Sequence, residues 1–392
     1  MGKFLFLLPL LSLFIIVYFF YFAEHYKPLH HLDKNKIPDF SDDMTYRSLL
    51  TAAENHLQFL KKFKKNKLIV LGEKQFSIDW AAKSIREFSE MIRQNPTPEE
   101  LRRYIRENYE VFQAGGRKTR KRREMLVTGY YEPVFAGSLT KTAPFLYPIY
   151  SPPKDLTTRK TGKKTVVGRM TANGFTKYWT RTQLETENRA RGYELAYLSD
   201  PFDVFLLHVQ GSGRIRLRDN SIRTVRFAAS NGHPYNSIGK LLVDEKKLTL
   251  EEVSVPRIRK YLRQHPDQLH HILRHNPRYI FFNWGDSKPP RGSSGVFLTP
   301  GRSIAIDHNA LPGELIAFLS SRRPVIDNQG NITGWIPLNR FVFPQDSGSA
   351  IKGTGRVDMF WGHGDYARTA ANTMKEPGKL FFLIKKKPEK QN

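Results

Sequence analysis

The last third of this chain is made of short apolar runs, each stopped by an aspartate or a glycine turn. Ser303-Ile304-Ala305-Ile306 stops at Asp307. A second run stops at Gln345-Asp346-Ser347-Gly348-Ser349, and a third carries Asp358 within Arg356-Val357-Asp358-Met359-Phe360-Trp361 before Gly362. Runs this short, bounded by turn residues, predict strands rather than helices. Their ends would bring carboxylates to one end of a small barrel or sheet. Carboxylates in such a place suit glycosidic bond chemistry, in which an acid must protonate a leaving oxygen.

The charge balance narrows the partners. Lys and Arg number 63 against 37 Asp and Glu, a formal net charge of +26. A field of that sign attracts polyanions, whether nucleic acid, anionic lipid or an acidic wall polymer. The chain of 392 residues has no cysteine, which excludes disulfides, thiol catalysis, zinc–thiolate sites and lipidation through cysteine. Residues 4–23 form an uncharged apolar block. At ~1.5 Å per residue this is long enough, as a helix, for the ~30 Å core of a bilayer. Its exit, Tyr21-Phe22-Ala23-Glu24, is a poor cleavage site, so the block reads as a retained membrane anchor within residues 1–26. Lys3 before it and Lys27, Lys34 and Lys36 after it leave the charge rule for orientation undecided.

Beyond a linker at 27–40, residues 41–114 read as helical, within a helical N-terminal region at 41–124. Thr97-Pro98-Glu99-Glu100 carries a capping box with proline at the first helical position, and Gly115-Gly116 is a natural stop. Residues 117–123 are basic, and β-type sequence follows at Met125-Leu126-Val127-Thr128-Gly129-Tyr130-Tyr131-Glu132-Pro133. Two strands around Gly211-Ser212-Gly213 are the simplest account of 202–217. A second helical patch at 249–274 is expected to break near Pro256 and Pro266, and short strands follow from 279 to 383. A basic tail occupies 385–390.

Several motifs carry no chemistry. Gly211-Ser212-Gly213 lacks the third glycine and the long helix of a dinucleotide loop. Ser349-Ala350-Ile351-Lys352 and Lys160-Thr161-Gly162 stand in the wrong order for a penicillin-binding serine enzyme. His271 and His275 lack the glutamate of a helical zinc site. The aromatics do not form an RNA-reading pattern, and no zinc-finger or basic-zipper signature appears. Asp307, Asp346 and Asp358 remain, with Lys352 and Arg356 close by. Each acid alone would pass for a turn residue; together in one glycine-rich segment they point to a site.

The segment from Asp346-Ser347-Gly348-Ser349 through Arg356-Val357-Asp358 to Trp361-Gly362-His363-Gly364 resembles the "3D" module of the membrane-bound lytic murein transglycosylase A family. The resemblance extends upstream. It takes in Thr128-Gly129-Tyr130-Tyr131-Glu132-Pro133, Tyr147-Pro148-Ile149-Tyr150, Thr180-Arg181 and Asp200-Pro201. Val209-Gln210-Gly211-Ser212-Gly213-Arg214, Asn231-Gly232-His233-Pro234-Tyr235 and Leu298-Thr299-Pro300-Gly301-Arg302-Ser303 complete it, across roughly 125–385.

The resemblance implies a mainly β fold with N-terminal helices: a double-psi β-barrel and a second β-rich domain inserted into it, with a groove for glycan strands between them. The corresponding division is a β-rich region with the insert at 125–275, the barrel at 276–385 and a tail at 386–392. It implies cleavage of the β-1,4 bond from N-acetylmuramic acid to N-acetylglucosamine without water, leaving a 1,6-anhydro end. It makes Asp358 the catalytic residue, with Asp346 and Asp307 as supporting acids. Tyr130, Gln210, Ser212 and Lys352 are candidates for gripping the sugar or its peptide. No metal, cofactor or nucleic acid is implied. Two alternatives stay open: a two-carboxylate hydrolase, and a non-catalytic wall-binding scaffold.

The chain departs from the family at two points. It has no lipidation cysteine, which favours an inner-membrane anchor with the body in the periplasm of a Gram-negative envelope. The usual D-T-G-G is Asp346-Ser347-Gly348-Ser349 here. Either way, Asp358 would need burial among Val357, Met359, Phe360 and Trp361, and the nearby Asp346 charge, to hold a proton near neutral pH.

Overall fold

The computed structural model describes residues 27–117, 123–162, 164–286, 288–348 and 350–388. The apolar block at 4–23, residues 118–122 of the basic run, Ser349 and the end of the basic tail lie outside them. No helix among the described residues is long and apolar enough to cross a membrane. The chain divides into two compact units. One holds the residues up to Tyr130, Arg291–Gly362 and those from Thr369 onward; the other holds Tyr131–Pro290 and His363–Arg368.

The first unit begins with β1 (Leu29–His31), α1 (Tyr46–Leu60), a hairpin of β2 (Leu68–Leu71) and β3 (Lys74–Ser77), α2 (Ile78–Arg93), α3 (Pro98–Asn108), β4 (Tyr109–Ala114) and β5 (Met125–Glu132). The second contributes β6 (Val134–Ser138), β7 (Tyr147–Tyr150), β8 (Thr157–Thr161), β9 (Lys164–Thr171), β10 (Gly174–Lys177), α4 (Arg181–Thr186) and β11 (Glu194–Leu198). It continues with α5 (Pro201–Gln210), β12 (Ser212–Arg216), β13 (Ile222–Ser230), α6 (Ile238–Asp244), α7 (Val255–Gln264), α8 (Leu269–Arg274) and β14 (Ile280–Gly285). The chain then supplies β15 (Ser303–Ala305), β16 (Ile316–Ile326), β17 (Ile332–Asp346), β18 (Arg356–His363), α9 (Asp365–Thr373) and β19 (Lys375–Lys385).

Six strands of the first unit close into a barrel, in the order β19, β16, β17, β15, β18, β5 and back to β19. Its interior is apolar: Ala317, Leu319, Val342, Val357, Met359 and Phe382 share the inward face and are fully buried, while Phe318, Phe341 and Phe343 turn outward, where Phe341 meets Phe40 and Phe88 and Phe343 meets His56. Each of these side chains larger than alanine contributes roughly 1.5–3 kcal/mol of burial, so the strand alternation seen in sequence fixes which face turns inward. Two buried polar residues then fix the loops that frame β15. Arg302 is fully buried and donates to both carboxylate oxygens of Asp42 at 2.5 and 2.9 Å, to Ser48 Oγ and to the carbonyls of Thr45 and Phe341. Gln345, also fully buried, accepts from Ser303 Oγ and donates to the Ala52 carbonyl. A buried charge or amide is tolerated only when paired in this way, so the residue before Asp346 is held in one place.

The second unit has a six-stranded sheet in the order β14, β13, β12, β6, β11, β7, and a separate antiparallel sheet of β8, β9 and β10. The structure corrects the reading of 202–210 as a strand: this stretch is the helix α5. Asp200 caps it, accepting from the Phe202 N–H at 2.8 Å, Pro201 opens it, and Gly211 closes it in the left-handed region at φ 74°. Phe202, Val204, Phe205, Leu207 and His208 are all buried, and the apolar Leu206 and Val209 stand at less buried positions, so the run shows no continuous polar face from which a helical period could be read.

A second correction falls at 41–124. α3 has the expected capping box but stops at Asn108, and Tyr109–Ala114 is a buried strand paired with β19 instead of the helix's last turns. Strands β2 and β3 also interrupt that region. At 249–274, Pro256 lies in the first turn of α7 rather than breaking it. The barrel ring takes Met125–Glu132, upstream of the segment assigned to it, whereas Ile280–Gly285 is an edge strand of the other sheet.

Candidate active site

The short strand β15 brings two of the acids together. Its last residue, Ala305, pairs in parallel register with Asp346 of β17 and in antiparallel register with Asp358 of β18. The two aspartates therefore flank one residue, about 10 Å apart from backbone to backbone across the sheet at ordinary strand spacing. β5 supplies their hydroxyl partners. Thr128 and Tyr130 are two apart in a strand and share a face: Thr128 Oγ1 donates to Asp358 Oδ1 at 2.7 Å, and Tyr130 OH to Asp346 Oδ2 at 2.9 Å. Gly129 between them turns to the other side, where an added β-carbon would lie 2.5 Å from the indole nitrogen of Trp361. Only glycine lets the strand approach so closely.

The two carboxylates are treated differently. Asp346 accepts three hydrogen bonds, from Tyr130 OH and from the backbone N–H groups of Ser293 and Ser347 at 2.9 and 2.8 Å. Asp358 has the Thr128 hydroxyl. Burial pushes its pKa up to about 6, with the Asp346 charge adding to the rise, while the Thr128 bond and the Arg356 guanidinium oppose it. Val357 and Met359, its strand neighbours, are completely buried, and Phe360 beyond them packs its ring 5.2 Å from that of Tyr130. Arg356 reaches Thr128 Oγ1 at 3.4 Å, and its buried Nε has no hydrogen-bond partner among the described residues.

Asp307 stands apart from this pair. Its carboxylate accepts the N–H of Gly353 at 2.8 Å and of Asn309 at 3.1 Å, and the Gly353 bond first of all holds its pKa below the usual range. Asp307 and the exposed Lys352 line one hollow with His308 and Ser347. Gln210 and Ser212 belong to the second unit, on either side of the Gly211 turn; Gln210 is exposed and Ser212 partly so. Sequence reasoning did not single out Thr128 or Ser293. The Thr128–Tyr130 spacing was the readable signal, since two polar residues at i and i+2 of an otherwise apolar strand face one place. Ser293, which acts through its backbone, gave none. Among the described residues, no three or more His, Asp or Glu form a group able to hold a metal.

A family model described as the MltA-specific insert domain matches residues 126–283, and one described as the 3D domain matches 302–384. The membrane-bound lytic murein transglycosylase A of Escherichia coli (strain K12) is 32% identical over 259 residues, 65% of this chain. The match spans 64% of that relative, just under two thirds of its length. The crystal structure of the membrane-bound lytic murein transglycosylase from Agrobacterium tumefaciens superposes with a TM-score of 0.69 at 27% identity, covering 92% of this chain and 98% of that one. MltA from Neisseria gonorrhoeae gives 0.70 at 28% identity, covering 93% and 94%. The barrel, the second β-rich domain placed within its sequence, and these matches agree: the chain is similar to the membrane-bound lytic murein transglycosylase A family, with matches to both an MltA-specific insert domain and a 3D domain.

Proposed function

We propose that this protein is a peptidoglycan lytic transglycosylase in which Asp358 is the single general acid and base. The observation that carries the reading is the contrast between the acids. Asp358 sits in a site that keeps a proton to about pH 6, whereas Asp346 has both oxygens engaged by Tyr130, Ser293 and Ser347. Protonated Asp358 gives its proton to the glycosidic oxygen as the bond from C1 of N-acetylmuramic acid breaks, and N-acetylglucosamine leaves with its O4 hydroxyl. The C6 hydroxyl oxygen of the same muramic acid then bonds to C1, and its proton passes to the Asp358 carboxylate. The acid is restored, no water is consumed, and a 1,6-anhydro end results. An internal nucleophile removes the need for a second free carboxylate, which a hydrolase would require.

Tyr130 supports Asp346, Asp307 ties the barrel loop at Gly353, and Lys352, Gln210 and Ser212 are proposed to bind sugar or peptide. The block at 4–23 is proposed to hold the protein in the inner membrane with its body in the periplasm of a Gram-negative envelope; release by alkaline carbonate would contradict that anchor. The activity is tested by digesting intact sacculi and reading the products by mass spectrometry. Muropeptides one water lighter than hydrolytic products, with no reducible muramic end, are expected. Reducing ends would point to a two-carboxylate hydrolase, and binding without products to a scaffold.

A further inference from the structure

The separate sheet of β8, β9 and β10 has a feature that catalysis at Asp358 does not use. From Asp155 to Glu185 the chain contains no intervening acid, while Arg159, Lys160, Lys163, Lys164, Arg169, Lys177 and Arg181 all fall in that interval. The register sorts the sheet into two faces. Thr158 pairs with Val167 and Thr176 with Arg169, so Val167 and Arg169 share one face. That face is held to the rest of its unit: the Arg169 guanidinium lies 3.7 Å from the ring centre of Trp179, which packs on the core of Tyr178, Tyr279 and Phe281.

The opposite face carries exposed side chains. Arg159 pairs with Val166, Lys177 with Gly168, and Phe175 with Met170, which places Arg159, Met170, Phe175 and Lys177 on it together. Met170 is 66% exposed, and Arg159 and Lys177 are exposed as well. Phe175 lies across Gly168, where an added β-carbon would be 2.6 Å from the ring, and the Arg159 guanidinium stands 6.0 Å from the ring centre. The result is one aromatic ring laid along the sheet, an exposed thioether, and a cation on each outer strand.

We infer that this face is a second docking platform for peptidoglycan, taking strands whose stem peptides carry free carboxylates. A flat ring offers its face to the C–H surface of a sugar, while the cations on either side match carboxylates borne by that sugar's peptide. A lipid surface would favour apolar side chains that project, and Phe175 lies flat. Nucleic acid would favour several aromatics in series, and the face has one. The inference rests on the reading that peptidoglycan is the polymer handled. It adds that the protein distinguishes peptide-bearing strands from strands stripped of peptide, through residues that take no part in the Asp358 site.

The test uses the full chain and two polymers: intact sacculi, and the same sacculi stripped of stem peptides by an amidase. Cleavage by the unaltered protein reads the activity; retention in an Asp358→Asn background reads the platform. The double variant Arg159→Glu/Lys177→Glu keeps Phe175 and should lose on the order of ten-fold in affinity for intact sacculi, with less than two-fold loss on stripped strands. That loss should shrink with salt, as for any exposed charge pairing. Phe175→Ala should weaken both polymers alike, and the charge variant guards against local misfolding of that substitution. Unchanged retention of the charge variant on intact sacculi would overturn the inference. So would equal losses on the two polymers, or a loss seen only on phosphatidylglycerol vesicles. Absence of cleavage by the unaltered protein would instead overturn the proposed activity.

Discussion

Two carboxylates withdrawn from water, one in each unit, Glu132 almost wholly and Asp358 in part, show that withdrawal alone leaves a residue's role undecided. Glu132 in the second unit is almost wholly buried and is met by two guanidiniums: Arg214 Nε at 2.8 Å on one oxygen and Arg226 Nη1 on the other. Asp358 in the barrel unit is met by the Thr128 hydroxyl, with Arg356 reaching that same hydroxyl. The doubly paired acid is fixed as structure. The acid with a neutral partner keeps a pKa of about 6 and can exchange a proton. What surrounds the carboxylate, more than its burial, separates a brace from a reagent.

Replacing the reagent should have the largest effect on rate. Asp358→Asn should lower turnover of sacculi by at least about 10³-fold, near the upper range for loss of a general acid, while binding by pull-down is kept. The same variant should be more stable at neutral pH. The native pKa of Asp358 is raised to about 6 from an ordinary 3.8, so ionising it costs stability as pH rises between those values. The gain, about 1–3 kcal/mol at pH 7, should vanish below pH ~4; denaturant melts at the two pH values check it.

Replacing the brace should act the other way. Glu132→Gln leaves the partly exposed Arg214 and Arg226 against a neutral amide and should cost about 1.5–3 kcal/mol, read as a fall in the urea midpoint. A smaller effect tests the partner of Asp358. Thr128→Val removes a bond that favours the ionised form, so the alkaline limb of kcat/KM should move to higher pH, with the rate about ten-fold lower as the acid loses its orientation. Smallest of all is Asp307→Asn. Its native pKa is lowered mainly by the Gly353 N–H, so its stabilising contribution is present at neutral pH and lost as pH falls through that depressed value. The variant should be slightly less stable than the parent at pH 7 and indistinguishable at pH 2, by thermal melts.

Much of the barrel was legible because its strands obey simple rules. The runs ending at Asp346 and carrying Asp358 alternate into a closed core, so the glycine-punctuated pattern led directly to β17 and β18. Helix α3 was legible from Thr97 and Glu100, whose reciprocal bonds depend on local sequence alone. Its end was not. Tyr109–Ala114 becomes a strand because β19, almost 270 residues later, offers it hydrogen bonds, and no local signal records that. α5 was missed because apolar residues stand even at its partly or fully exposed positions, Leu206 and Val209 among them, which blurs the period, leaving the Asp200-Pro201 cap as the remaining sign. At the site, the acids were legible as acids, but the register that sets Asp346 and Asp358 on either side of Ala305 was not. Likewise, the Ser293 N–H binds Asp346 through backbone geometry that any residue type other than proline permits.

The most direct test of the central claim, that one aspartate with a raised pKa does the proton transfer, is the pH dependence of kcat/KM for the full chain on sacculi. The account predicts a rate that falls above about pH 6 with the slope of a single ionisation, and an alkaline limb that moves up in Thr128→Val. A profile flat from about pH 5 to pH 8, or an alkaline limb unmoved by that substitution, would contradict it.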